Sequence, residues 1–118
     1  MPVDNIRNNL KLVEVSFQPT ATTSSAGAIP DQFALVALQC SAVLEGTAIT
    51  FQGSLDGSTY VALYAMDGGS AYSVTVGTSR IVPVDIRVFA GIPFVKLVSN
   101  AAAGEDAVTT IILVARPV

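Results

Sequence analysis

Along much of this chain, apolar and polar residues alternate with a period of two, the pattern of strands with one dry face. Val13, Val15 and Phe17 alternate with Glu14 and Ser16, and Ile49 and Phe51 alternate with Thr50 and Gln52. Tyr72, Val74 and Val76 alternate with Ser73 and Thr75, and Val95 and Leu97 flank Lys96. Val82, Val84, Ile86 and Val88 alternate with Pro83, Asp85 and Arg87. Pro83 has no N–H to give a ladder, so that segment should lie at a sheet edge or divide there. Two runs depart from alternation. Residues 33–40 and 108–114 are apolar on both faces, as expected of central strands buried on both sides or of strands whose outer face meets a partner. A helix over 33–40 is the weaker reading, because eight residues without caps do not sustain one.

Turn residues punctuate these runs. Asp56-Gly57, between the alternating stretch at 49–52 and the run at 60–64, offers the positive φ angles of a tight hairpin turn. Residues 66–70, which include Asp67-Gly68-Gly69, have similar turn chemistry; residues 77–79 break the next strand, and 100–106 form a further turn. Residues 18–27, rich in Thr, Ser and Ala, are a loop whose low charge suits docking on the domain better than free solvation. The count is roughly eight short strands with closely spaced turns, which predicts an all-β fold: a single-domain antiparallel β-sandwich, jelly-roll-like. No segment has helical length or caps, and no solenoid-period repeat is present. Residues 1–9, polar and Asn-rich, read as an N-terminal arm, and residues 10–118 as the β-sandwich domain.

Composition adds a clue about partners. Hydrophobic residues make up 51% of the 118, and charged residues only 13%, against a usual ~25% charged. A domain this small has much surface to wet and few ions to do it, so some apolar surface is expected to lie against another chain. The net charge is −3, and Arg7, Lys11, Arg80, Arg87, Lys96 and Arg116 are scattered singly. Nucleic acid is therefore not an expected partner, since tracking a phosphate backbone takes clustered cations. No run approaches the ~18 apolar residues of a membrane span, and the first residues lack the basic and apolar parts of a secretory signal. The chain is read as made in the cytoplasm, with no membrane partner.

The chemistry of a catalytic site is not evident. Histidine is absent, which removes the commonest general base and metal ligand. Cys40 is the only cysteine and sits in an apolar run, where thiols are inert. Asp56 and Asp67 each precede Gly, which turn geometry explains, and Glu105-Asp106 reads as a solvated acidic turn. No calcium-loop or phosphate-loop spacing occurs. With no Trp, a sugar platform could come only from Tyr60, Tyr64 or Tyr72, whose alternation with apolar neighbours suits packing better. No enzyme activity, metal or cofactor is expected.

The segment from Ile49 to Leu63, with its Phe51-Gln52-Gly53-Ser54-Leu55-Asp56-Gly57-Ser58-Thr59-Tyr60 core, resembles a hairpin of small β-sandwich proteins of tailed bacteriophages. Phe94-Val95-Lys96-Leu97-Val98-Ser99-Asn100 and the β-branched closing run fit the same pattern, so the likeness covers about half the chain. The resemblance implies a capsid decoration (cement) protein or a related virion protein. It would be a homotrimer on the capsid exterior, with the major capsid protein as its partner. On that reading the shell-facing surface comprises residues 1–9 and the loop 20–28, with Arg7 and Lys11 meeting acidic patches. Self-association would use 33–40 and 108–114 through Phe33, Leu35, Ile112 and Val114, unless both runs are simply central strands. The competing readings are a tail, fibre or pilus-like subunit, a carbohydrate-binding module and, last, an enzyme.

Overall fold

The alternating segments fold as strands in a computed structural model that describes residues 10–66, 68–101 and 108–117. In chain order they are β1 (Lys11–Phe17), β2 (Gly27–Ala28), β3 (Phe33–Cys40), β4 (Ala48–Ser54), β5 (Val61–Ala62) and β6 (Ser73–Thr75). Then come β7 (Ile81–Pro83), a one-turn helix α1 (Ile86–Phe89), β8 (Phe94–Ser99) and β9 (Thr109–Pro117). The arm at 1–9 with Arg7, Asp67 in the second turn, and Glu105-Asp106 lie outside the described residues.

Two antiparallel sheets result. One has the order β1-β9-β3-β7; the other has the order β2-β8-β4-β5, with β6 also paired to β4. The pairs nest: β1 with β9, β2 with β8, β3 with β7, and β4 with β5 and β6. The chain is thus a long hairpin, closed at β4–β6 and rolled so that successive pairs fall in opposite sheets. That is jelly-roll connectivity, and the described residues form nine strands because β5 and β6 share one edge of β4.

Alternation sets what each sheet turns inward. Val15 and Phe17 of β1, Ile111 and Leu113 of β9, Ile49 and Phe51 of β4, and Val95 and Leu97 of β8 are fully or almost fully buried between the sheets. Gly27 marks where the sheets approach closely: a Cβ there would lie 2.8 Å from Leu113 Cδ1 and 3.0 Å from Val15 Cγ1. An aromatic trio closes one side of the core. The Phe51 and Phe89 rings meet edge to face at 4.9 Å, and Tyr72 stands 5.8 Å from each. The Tyr72 hydroxyl accepts from the Asp85 amide at 2.8 Å and so pins the start of α1 to the same cluster.

Several sequence expectations are refined. The loop at 18–27 is docked, as its low charge suggested: the Ser24 amide donates to the Leu97 carbonyl, the Leu97 amide to Ser24 Oγ, and the Ser99 amide to the Thr22 carbonyl. Pro83 lies in an edge strand, which ends there. Ile86 and Val88 do not continue that strand but fall in α1, so the expectation of no capped helix is corrected. Asp85 caps the turn by accepting from the Arg87 amide, and its carboxylate also pairs with the Arg87 guanidinium at 2.9 Å. The turn at 56–57 is not a two-residue hairpin either. The ladder between β4 and β5 ends at Gly53 and Val61, so the connection is longer.

Candidate interaction surface

No cluster of chemistry-bearing groups stands out among the described residues. Among the described residues, no group of three His, Cys, Asp or Glu side chains stands close enough to hold a metal ion. Cys40 is buried, pairs with Ile111 in the ladder, and has its thiol pushed up by that burial against the weaker pull of the Gly77 backbone and Arg80. No described helix is long and apolar enough to cross a membrane.

The best-formed polar arrangement is the connection after β4. Ser54 Oγ donates to Asp56 Oδ1 (2.9 Å) and accepts from the Gly57 amide (2.8 Å), while the Ser58 and Thr59 amides donate to Asp56 Oδ1 (2.8 and 3.0 Å). These donors, Thr59 first, then Ser58 and Ser54, lower the Asp56 carboxyl from 3.8 to about 2. Gly57 takes φ +82° over the Phe94 ring. These bonds hold the turn together. Ser54, Asp56 and Thr59 of this turn, with Gly53, Leu55, Val61, Leu63 and Ile92, line a mostly apolar cavity of about 460 Å³, which opens next to the exposed side chains of Leu55 and Val61.

The three tyrosines do not form a platform. Tyr72 belongs to the core cluster, and Tyr60 has one ring face covered by Lys96 Nζ at 4.4 Å from its centroid; Tyr64 is the exposed one.

The outer face of the β1-β9-β3-β7 sheet is different. Its register aligns Leu12, Val114, Ala37 and Pro83 in one row and Glu14, Ile112, Gln39 and Ile81 in the next. Leu12 is 67% exposed and Ile81 66%, while Val114, Ile112 and Ala37 between them are half-buried by their neighbours. An apolar strip therefore crosses four strands with little charge on it. The opposite sheet turns Thr50, Gln52, Lys96, Ser73 and Thr75 outward instead.

These placements divide the residues expected at an interface. Ile112 and Val114 lie on the apolar strip, and Lys11 is exposed at the start of β1. Leu35 faces the core with no exposed surface, and Phe33 packs against that core beside Pro30 and Ile92. Both apolar runs are central strands, β3 and β9, but only their inner faces are fully covered. Leu12 and Ile81 were not singled out from the sequence, although Leu12 shares the phase of Glu14 and Ser16, where a polar residue would be expected.

No protein family model matches the chain, and no curated protein matches its sequence. Among solved structures, the SPBc2 prophage-derived protein YomS aligns at 20% identity over 89% of this chain and 94% of that one, with a TM-score of 0.48. The Yersinia pseudotuberculosis-derived mitogen aligns at 9% identity over 93% and 86%, with a TM-score of 0.43. The cyanophage Pam1 capsid asymmetric unit contains a chain that aligns at 18% identity over 93% and 86%, with a TM-score of 0.39. With TM-scores of 0.48 or lower and identities of 20% or lower, these likenesses assign no role.

Proposed function

We propose that this chain is a non-enzymatic structural subunit of a phage particle, a decoration (cement) protein that trimerises on the capsid exterior and binds the major capsid protein. The observation that carries the binding part of this reading is the apolar strip through Leu12, Val114, Ala37 and Ile81. It is exposed on one sheet with no charged or polar side chain in the row from Leu12 to Pro83, while on the other sheet Thr50, Gln52 and Lys96 interrupt the outward face. The virion part rests on the residue pattern of Phe51 to Tyr60 and Phe94 to Asn100. Many modest contacts repeated over a lattice would add up by avidity, and binding only the assembled shell would stabilise that shell by linkage.

The test is co-sedimentation with empty, undecorated heads of the parent phage, together with the mass in solution by light scattering. The chain should pellet with the heads, and Ile112→Lys should weaken that binding or the trimer while the monomer stays folded. A folded chain that never pellets with intact heads would remove the decoration reading.

A further inference from the structure

We infer that the outer edge of β1, which among the described residues only Ser25 meets, at Ser16, pairs antiparallel with β1 of a second copy of this chain, joining two four-stranded sheets into one. Ser16 shows which backbone groups are available. Its carbonyl accepts from the Ser25 amide at 2.9 Å, and its amide donates to Ser25 Oγ at 3.1 Å, so both point away from β9. The β1–β9 register runs without a bulge from Lys11 to Phe17, and backbone direction alternates along a strand. Glu14 and Leu12 therefore also direct their N–H and C=O away from β9, and Leu10, just before the strand, continues that phase. The other edges are blunted: β7 has three residues and ends in Pro83, while β2 and β5 have two residues each. The β1 edge is long and carries Leu10 and Leu12, 43% and 67% exposed.

The side chains select the register. Outward-directed residues must face outward-directed residues, and Ser16 is already engaged by Ser25. Pairing Leu10 with Leu12 of the second copy would put Lys11 opposite Lys11. Centring on Glu14 would oppose two carboxylates, and pairing Leu12 with Glu14 would set Leu10 against Ser16, whose outward groups Ser25 already holds. Centring on Leu12 avoids all three: Leu12 meets Leu12, Lys11 meets Val13, and Leu10 meets Glu14. Because Leu12 lies beside Val114, Ala37 and Pro83, the apolar row then runs unbroken through both copies. The contact is short, so it should be weak and concentration-dependent. It does not rest on the virion reading, and a trimer built through other surfaces would keep three such edges.

Amide exchange followed by NMR, over a dilution series with mass by light scattering, tests the pairing. In concentrated wild-type protein the Leu12 and Glu14 amides should exchange about tenfold more slowly than in dilute protein. Lys11 and Val13, already bonded to β9, should not change. Leu12→Pro removes an outward N–H and no hydrogen bond to β9, and Leu12→Lys sets two ammonium groups face to face; each should abolish the protection and the concentration-dependent rise in mass. Leu12→Lys keeps every backbone donor and carries the test should the proline variant not fold. Free exchange of Leu12 and Glu14 at every concentration would overturn the pairing. So would protection that persists on dilution, since the edge would then be filled within one chain, or a mass that neither variant lowers.

Discussion

Ile111 and Ile112 are adjacent in β9 and face opposite ways, so the same truncation at each should have separable effects. Ile111 is fully buried between the sheets, whereas Ile112 is half-buried on the outer strip. Replacing isoleucine by alanine removes three carbon atoms, worth about 2.4 kcal/mol of transfer free energy at ~0.8 per carbon when the site is dry. At Ile111 the neighbours Leu38, Leu113 and Val15 are held by two ladders and cannot collapse fully, so a cavity term raises the loss to about 3–4 kcal/mol. At Ile112 roughly half the transfer term applies and no cavity forms, giving about 1 kcal/mol.

In urea, with a slope of about 1.5 kcal/mol/M for a chain of this size, the midpoint should fall by about 2 M for Ile111→Ala and by less than about 1 M for Ile112→Ala. Both curves should be recorded at several protein concentrations. Equal losses that do not change with concentration would refute the inside–outside assignment of β9 and the sandwich built on it. An Ile112→Ala loss that grows with protein concentration would instead show that the outer strip is covered in the associated protein.

Other positions test the supporting structure. Tyr72→Phe leaves the Asp85 amide without its acceptor at the start of α1 and should cost about 1–2 kcal/mol in chemical unfolding. Asn100 Oδ1 accepts from the Thr47 and Ala48 amides at 2.8 and 3.1 Å, so Asn100→Ala should cost a similar ~1–2 kcal/mol, with faster amide exchange at those two residues. Asp56 has a carboxyl lowered to about 2 from 3.8, so its hydrogen bonds stabilise the fold fully above the unfolded value. That stability is lost as pH falls through about 4 to 2, and the midpoint gap between wild type and Asp56→Asn should close over that range; an NMR titration of Asp56 near 3.8 would contradict it.

Much of the fold was legible because one sheet face is dry and the other wet, so period two survives in β1, β4, β6 and β8. The run at 33–40 was ambiguous for a specific reason. The register shifts between Leu35 and Ala37, so Leu35 and Leu38 both face inward and the alternation slips by one residue. With Ala37 on the outer apolar strip as well, β3 carries apolar residues on both sides. The stretch at 82–88 misled differently: Val84, Ile86 and Val88 alternate like a strand, but Asp85 can cap a helical turn and Gly91, at φ +82°, follows its end. Those two residues were the available signal. The interaction surface was harder to see, since Leu12, Val114, Ala37 and Ile81 come from four strands and meet only once the register is known.

The low charge of the chain takes on a sharper meaning in this geometry. Few ions do not by themselves leave a surface dry: on the second sheet Thr50, Gln52, Ser73 and Thr75 share the outward side with a single charge, Lys96. The scarcity matters where neutral polar residues are also missing, on the strip from Leu12 to Pro83 and at the open edge of β1 beside it. An exposed edge with apolar flanks is hazardous to a lone domain, because it templates uncontrolled pairing. In β1, Lys11 and Glu14 bracket Leu12 and penalise the registers that oppose like charges. Together with the engagement of Ser16 by Ser25, these two residues favour the Leu12-centred pairing, which makes Lys11 and Glu14 determinants of register as well as of solubility.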